Sequence, residues 1–268
     1  MTWKRSHRRR RTAAAGVLAA VLALAAGCSS DDDGGDGPAS SPSPSATPQP
    51  QVGAACPADA AGGTQVRFGE DDYLGGVVMG SGTTGIVLAH EYQSDSCNWL
   101  PYAKALAAKG YTTLAFDFAG NGGSVLGPGT QSNDADVEQA AAYLKSHGAT
   151  KIVLMGASMG AEASLNDVGE VAPEAVVSLA TPLNFLNEAV DAAGVTVPVL
   201  LIAGKDDSNG GFADAARIVA KQVPSKDKTV KIVDSSEHGT GLLRSAQSGT
   251  VEKSIEAFLA TYAPPTTS

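Results

Sequence analysis

A serine between glycines is the residue best suited to nucleophilic catalysis in this chain. Ser158 lies at the centre of Gly-Ala-Ser-Met-Gly, residues 156–160, directly after the apolar run 151–155 and before a helix-compatible segment. Glycines two positions before and after a serine permit a sharp strand-to-helix turn that exposes the hydroxyl. The pattern predicts Ser158 as a nucleophile, with the Met159 amide at the helix start directed towards a developing oxyanion.

A serine hydroxyl needs a base, because it is hardly ionised at neutral pH. His7 lies in the basic N-terminal segment, and His147 lies at a predicted helix end, where a cation stabilises the helix dipole. His238 follows the last predicted strand and precedes the last predicted helix. His238 is therefore the predicted base.

The base in turn needs a carboxylate that orients its imidazole and stabilises the imidazolium. Asp206 and Asp207 follow the apolar run 199–203 after Gly204 and Lys205. Asp207 is preferred and Asp206 remains an alternative, as does an ordinary turn aspartate. The predicted triad is Ser158, Asp207 and His238, in that chain order.

Short apolar runs rich in β-branched residues alternate with longer amphipathic segments after residue 52, which is typical of an α/β domain. Predicted strands occupy residues 75–79, 86–89, 112–116, 151–155, 175–179, 197–203 and 229–233. Predicted helices occupy residues 99–109, 135–146, 159–166, 212–222 and 251–262. In such a sheet the carboxyl ends of the strands meet at one edge, so the three triad residues are expected to converge there.

Three segments resemble motifs of the α/β-hydrolase superfamily. Residues 116–124, Phe-Asp-Phe-Ala-Gly-Asn-Gly-Gly-Ser, are similar to its D-x-R-G-x-G-x-S segment, with Ala119 in place of the arginine. Residues 204–207, Gly-Lys-Asp-Asp, and residues 237–239, Glu-His-Gly, resemble its acid and histidine loops. The family acid normally occupies the last position of its loop, which supports Asp207.

This resemblance covers nearly the whole chain after the N-terminal segments, and it points to a small, cap-less member similar to dienelactone hydrolases and esterases. It implies the α/β-hydrolase fold, a mostly parallel twisted sheet with helices on both faces and no large cap domain. The segment 181–197 is also too short for a typical two-helix cap. Leu183, Phe185 and Leu186 in that segment either line an acyl pocket or pack within a helix.

The oxyanion loop departs from the family pattern. The family commonly has His-Gly here, whereas this chain has Ala-His-Glu-Tyr-Gln at residues 89–93. By position, Tyr92 supplies the second oxyanion amide and His90 supports the loop. Glu91 replaces the glycine and would oppose the negative charge of an oxyanion unless its carboxylate points away.

The N-terminus resembles an export signal. Residues 1–27 contain a basic stretch and an apolar run that is too short for a stable membrane span, and Ala-Ala-Gly-Cys, residues 25–28, resembles a bacterial lipobox. This predicts a lipid-modified Cys28 on the outer face of the cytoplasmic membrane. A secretory signal cleaved nearby and an uncleaved anchor remain alternatives, and the export route, Sec or twin-arginine, stays open. Residues 28–51, rich in Ser, Pro and Asp, are expected to be a disordered tether before a domain at 52–264.

The remaining cysteines, Cys56 and Cys97, form an even pair in an exported chain, which favours a disulfide over two isolated thiols.

The charge distribution restricts the partners. The full chain has a net charge of −9, but residues 28–268 contain 13 basic and 28 acidic residues, or −15. Such a chain would repel nucleic-acid phosphates and anionic lipids, so nucleic-acid binding is not expected and membrane contact requires the lipid on Cys28. The histidines are too few for a typical zinc site, and no metal or organic cofactor is expected.

The leading hypothesis is an exported serine hydrolase that cleaves a small-molecule ester or the ester end of a polymer. A peptidase or amidase of the same fold is the nearest enzyme alternative. A non-catalytic binding lipoprotein that kept the fold is the alternative from another class.

Overall fold

The central strands are continuous apolar runs. Helices cover both faces of the sheet, so every side chain of these strands is directed into a hydrophobic layer. The computed structural model describes residues 51–128, 132–186 and 188–266. The predicted signal, Cys28 and almost all of the predicted tether lie outside these residues. No described helix combines the length and the apolar character needed to cross a membrane.

The strands are β1 (Thr64–Phe68), β2 (Leu74–Met79), β3 (Thr84–Ala89), β4 (Thr112–Asp117), β5 (Lys151–Ala157), β6 (Ala175–Leu179), β7 (Asn184–Phe185), β8 (Glu188–Ala189), β9 (Val199–Gly204) and β10 (Lys228–Val233). The α-helices are α1 (Pro57–Ala60), α2 (Leu100–Ala108), α3 (Asn133–Ser146), α4 (Met159–Asn166), α5 (Val168–Val171), α6 (Phe212–Gln222) and α7 (Ser248–Tyr262). Short 3₁₀ segments occupy Glu70–Asp72, Ser96–Asn98, Ala192–Gly194 and Gly239–Arg244.

Within the described residues, eight strands form one sheet in the order β1-β2-β4-β3-β5-β6-β9-β10. Strand β2 pairs antiparallel with both β1 and β4, and the remaining neighbours pair in parallel. The predicted mostly parallel sheet is therefore confirmed. The strand β1 and the β7–β8 hairpin were not predicted from the sequence.

Two hydrophobic clusters cover the two faces of the sheet. Along β3, Ile86 and Leu88 belong to the cluster that includes α2 and α7, whereas Val87 belongs to the cluster that includes α3 and α6. This alternation follows from the two-residue period of a strand, and it explains why the central strands are apolar on both faces.

The described part of the segment between β6 and β9 holds only the small β7–β8 hairpin and one 3₁₀ turn. No cap domain is present among the described residues, as the short spacing predicts.

Candidate active site

Ser158 occupies a sharp turn between β5 and α4. Its backbone has φ 48° and ψ −112°, a conformation that is unusual for a residue with a side chain. The turn brings Gly156 against the Gly160 carbonyl and Gly160 against the carbonyl of Ala89, so closely that a Cβ on either glycine would overlap these atoms. The two glycines are therefore required by packing, as the motif predicts.

The elbow is anchored to the neighbouring strand. The Ser158 amide donates to the Leu179 carbonyl at 2.9 Å, at the end of β6. Met159 is the first residue of α4, so its amide has no acceptor within the helix. This leaves the Met159 N–H available at the positive end of the helix dipole.

His238, which is partly exposed, forms a hydrogen-bonded pair with the buried Asp207. His238 Nδ1 donates to Asp207 Oδ2 at 2.8 Å, and the Asp207 side chain is only 1% exposed. Asp207 Oδ1 accepts from the Asn209 amide at 2.9 Å, and the Phe212 ring lies 4.4 Å from the His238 ring between centroids. These contacts hold the imidazole with Nδ1 protonated, which leaves Nε2 as the basic nitrogen.

The structure distinguishes between the two aspartates that the sequence left open. Asp207 is buried, whereas Asp206 is exposed and its amide donates to the Ser235 carbonyl at 3.1 Å. Asp207 therefore carries the contact to the histidine.

The histidine loop lies against the nucleophile elbow. A Cβ on Gly239 would lie 3.4 Å from the Ala157 Cβ and 3.3 Å from the Glu91 Cδ. Because Gly239 follows His238 and Ala157 precedes Ser158, the loops that carry the predicted base and nucleophile are in contact. The oxyanion loop joins them through Glu91.

Glu91 is bound to its neighbours. Its Oε1 accepts from the Thr240 hydroxyl at 2.6 Å and from Asn98 Nδ2 at 3.1 Å. The Arg244 guanidinium donates to the Asn98 carbonyl at 3.0 Å and to the Thr240 hydroxyl at 3.4 Å. The carboxylate that replaces the family glycine thus connects the oxyanion loop to the histidine loop, a role that the sequence analysis did not predict.

His90 is fully buried and neutral. It accepts from the Phe118 amide through Nε2 at 3.1 Å, so Nδ1 carries the proton and donates to the Glu91 carbonyl at 2.7 Å. Burial lowers the pKa of His90, which favours the same neutral form. With both ring nitrogens engaged, His90 supports the loop, as predicted.

Asp117 positions the segment that resembles the family motif. Its buried carboxylate accepts from the Ser96 amide at 2.6 Å and from the Gly123 amide at 2.7 Å. The Ser124 hydroxyl donates to the Asp117 carbonyl and accepts from the Gly75 amide. These contacts make the motif a structural support for the loops at this edge of the sheet.

Tyr92 has an exposed side chain, and its ring contacts Phe185 of the hairpin with centroids 5.3 Å apart. The hairpin also packs against α4. Phe185 was considered in the sequence only as a pocket or helix residue, and its partner in another loop could not be inferred.

Carboxylates accumulate between α3, α4 and the hairpin. Burial, followed by the charges of Asp134 and Glu188, raises the pKa of Glu162 to about 7. Burial and Glu188 raise the pKa of Asp134 to about 6. Burial and the charges of Glu138 and Asp134 raise the pKa of Asp167 to about 7. Each of these groups resists ionisation in the folded protein.

Cys56 and Cys97 form a disulfide, with their Cα atoms 5.8 Å apart across 41 positions of sequence. The bond ties the segment that contains α1 to the 3₁₀ turn before α2. The predicted pairing is confirmed. Across the residues that the structure describes, no group of three His, Cys, Asp or Glu side chains has an arrangement that could hold a metal ion.

The comparisons with known proteins agree with this fold. The fold matches an esterase from Pyrococcus furiosus with a TM-score of 0.66 at 19% identity, over 81% of this chain and 97% of that chain. It matches a thermophilic esterase from Thermogutta terrifontis with a TM-score of 0.59 at 14% identity, over 75% and 99% of the two chains. A Xanthomonas campestris protein described as an α/β serine hydrolase without lid gives a TM-score of 0.59 at 17% identity, over 76% and 96%. No curated protein sequence matches.

The sequence also matches a family profile over more than half of its length. Residues 77–222 match the profile described as the alpha/beta hydrolase family, a range that includes Ser158 and Asp207 and ends before His238. The fold, the elbow and the profile agree, and we conclude that this chain belongs to the alpha/beta hydrolase family.

Proposed function

We propose that this protein is a serine hydrolase that cleaves carboxylic esters, with Ser158 as nucleophile, His238 as base and Asp207 as the orienting acid. The observation that carries the proposal is the His238–Asp207 hydrogen bond in a loop that lies against the Ser158 elbow. Two structurally similar proteins are described as esterases, which supports the choice of an ester.

In the proposed reaction, Ser158 Oγ attacks the ester carbonyl carbon while His238 Nε2 takes the hydroxyl proton. Asp207 stabilises the imidazolium, and the amides of Met159 and Tyr92 donate to the tetrahedral oxyanion. His238 then protonates the leaving alkoxide, which departs as the alcohol. Water, deprotonated by His238, attacks the acyl-enzyme and releases the acid and free Ser158.

The test is hydrolysis of p-nitrophenyl esters and p-nitroanilides by the purified full-length protein. We expect ester turnover that falls at least about 10⁴-fold in Ser158→Ala, since a triad without its nucleophile loses most of its rate enhancement. Ser146→Ala, on the exposed side of α3, is the control and should keep wild-type activity. A fluorophosphonate should label Ser158.

Three outcomes would each contradict a part of this proposal. Turnover that survives Ser158→Ala would remove the nucleophile assignment. Faster cleavage of anilides than of esters would favour a peptidase or amidase. A wild-type protein that neither turns over nor reacts with the fluorophosphonate would favour a binding protein.

We also propose that the chain is exported and carries a lipid on Cys28, which would hold the catalytic domain at the outer face of the cytoplasmic membrane through residues 29–51. The supports are the basic and apolar segments before Ala-Ala-Gly-Cys. Mass spectrometry of the mature N-terminus should find an acylated Cys28, and Cys28→Ala should release the protein from membranes. An unmodified N-terminus at another position would indicate plain secretion.

A further inference from the structure

Two aromatic side chains meet across the strand that ends at the Ser158 elbow. Strand β5, which ends at the Ser158 elbow, lies between β3 and β6 in the sheet. Tyr92 follows β3 and Phe185 follows β6, yet their rings are in contact at 5.3 Å and an angle of 58°. The loops from the strands on either side of the nucleophile are therefore joined by an aromatic pair.

The exposed apolar side chains concentrate at the same edge of the sheet. Among the described residues, five large hydrophobic side chains are exposed: Tyr92, Leu126, Leu183, Leu186 and Ile218. The first four follow the carboxyl ends of β3, β4 and β6, and only Ile218 lies elsewhere, on α6. Scattered exposed leucines need no explanation, but their concentration around one site indicates a surface that meets an apolar ligand.

Leu186 is the most unusual member of this group. It occupies the turn between β7 and β8 with φ 45°, a left-handed conformation that favours Gly or Asn, and its side chain is 72% exposed. The turn shows that this segment is a hairpin, which excludes the helix-packing interpretation. Neither burial nor backbone preference accounts for a leucine here, and such outliers are typical of functional sites.

The surrounding charges restrict what this surface binds. Glu188 pairs with Phe185 across the hairpin, and Glu162 and Asp134 lie close to Glu188. An anionic ligand would be repelled by the charge of Glu188, whose side chain is exposed. A neutral hydrocarbon chain would contact these apolar side chains favourably and would not be repelled by the negative charge.

We propose that Tyr92, Phe185 and Leu186 form the surface that binds the acyl chain of a neutral ester, so that acyl chains of about six to ten carbons are preferred to acetyl groups; this inference rests on the proposed ester hydrolysis. Each methylene that leaves water increases binding by up to about fourfold. The partly open surface should give a smaller gain for each methylene, yet at least about a tenfold preference in kcat/KM for an octanoyl over an acetyl ester.

The test compares p-nitrophenyl octanoate with p-nitrophenyl acetate, both below the concentration at which the octanoate aggregates. Leu186→Asn should lower the octanoate-to-acetate ratio of kcat/KM about three- to tenfold, and Phe185→Ala should lower it further. Leu186→Asn suits the left-handed turn, so its thermal midpoint should be equal to or higher than that of the wild type. Ile218→Gln, on α6, is the matched control and should leave the ratio unchanged.

A wild-type ratio near one, or a ratio that Leu186→Asn and Phe185→Ala do not change, would overturn the inference while ester hydrolysis stands. If Leu186→Asn binds lipid vesicles less than the wild type does while the octanoate-to-acetate ratio is unchanged, the surface binds a membrane instead, and the inference is overturned.

Calorimetric binding of both esters to Ser158→Ala needs no turnover, so it separates the acyl-chain inference from the proposed ester hydrolysis. If neither ester is hydrolysed but the octanoate binds through Leu186, the ester-hydrolase proposal fails and the binding surface stands; if neither binds, both fail.

Discussion

The Asp207 carboxylate is held in one orientation, with one oxygen on His238 and the other on the Asn209 amide. Two adjacent aspartates follow the same strand, but only the second is directed inward. A one-residue difference along this turn therefore decides which carboxylate can stabilise an imidazolium.

We expect Asp207→Asn to lower kcat by about 10³- to 10⁴-fold, because an amide can impose the wrong imidazole tautomer and does not stabilise its charge. Asp206→Asn is the matched control and should retain nearly full activity, since Asp206 is exposed. Steady-state hydrolysis of one ester by the two variants checks this. Equal losses in both, or a loss in Asp206→Asn alone, would contradict the assignment.

Glu91 shows how a departure from a family motif is accommodated. A carboxylate that faces an oxyanion would be unfavourable; here Oε1 accepts from the Thr240 hydroxyl and from Asn98, whereas Oε2 is buried without a hydrogen-bond partner among the described residues. The partners lie 149 and 7 positions away along the chain. The carboxylate therefore joins two loops that both border the predicted nucleophile.

Helices α3 and α4 and the small hairpin bring several carboxylates together. Glu162 on α4 is almost fully buried, and Asn166, one turn further along, donates to its Oε1 at 3.3 Å. The pKa of Glu162 rises from the ordinary 4.5 to about 7 because of burial and of its acidic neighbours. In the folded protein this group therefore keeps its proton over a range in which the unfolded chain has lost it.

The consequence is a pH-dependent stability whose sign follows from proton binding. The stabilisation from a protonated Glu162 is fully present below about pH 4.5 and is lost as the pH rises through about 7. We expect Glu162→Gln to make the free energy of unfolding less dependent on pH between 5 and 8 and to raise it at pH 8. Asp134 and Asp167 have raised pKa values too, so part of the dependence should remain.

Urea unfolding at several pH values measures this effect. Glu174→Gln, at an exposed position before β6, is the control and should reproduce the wild-type slope. If Glu162→Gln gives the same slope as the wild type, the carboxylate does not stay protonated in the folded protein.

At the scale of the whole domain, the disulfide between Cys56 and Cys97 links the start of the described chain covalently to the loops of the candidate site. Cys97 precedes Asn98, which contacts both Glu91 and Arg244. The bond closes a loop of about 40 residues, and in the chain-entropy model this restricts the unfolded state.

The double variant Cys56→Ser/Cys97→Ser should lower the free energy of unfolding by about 3–4 kcal/mol. Guanidinium denaturation with and without a reductant provides the measurement. The reductant should destabilise the wild type by a similar amount and should leave the double variant unchanged. A wild type whose stability does not respond to complete reduction would contradict the prediction.

The amino-acid sequence by itself determined the central strands, the elbow at Ser158 and the chain order of the proposed nucleophile, acid and base. These features follow from local rules, because apolar runs predict buried strands, glycines two positions from a serine permit the turn, and parallel strands end at one edge of the sheet. The Cys56–Cys97 pair was also predictable, since the expected export and the expected lipid on Cys28 leave two cysteines, and such a pair commonly forms a disulfide.

The tertiary structure alone decided which aspartate meets His238, where the Glu91 carboxylate points, that β1 extends the sheet, and that Leu186 lies on an exposed hairpin rather than within a helix. Each outcome depends on how a loop packs against residues distant in sequence: Glu91 binds Thr240, and Tyr92 contacts Phe185. Local patterns determine where a strand ends, but the direction of the side chains beyond it is determined by contacts between loops, and these form only when the whole sheet has assembled.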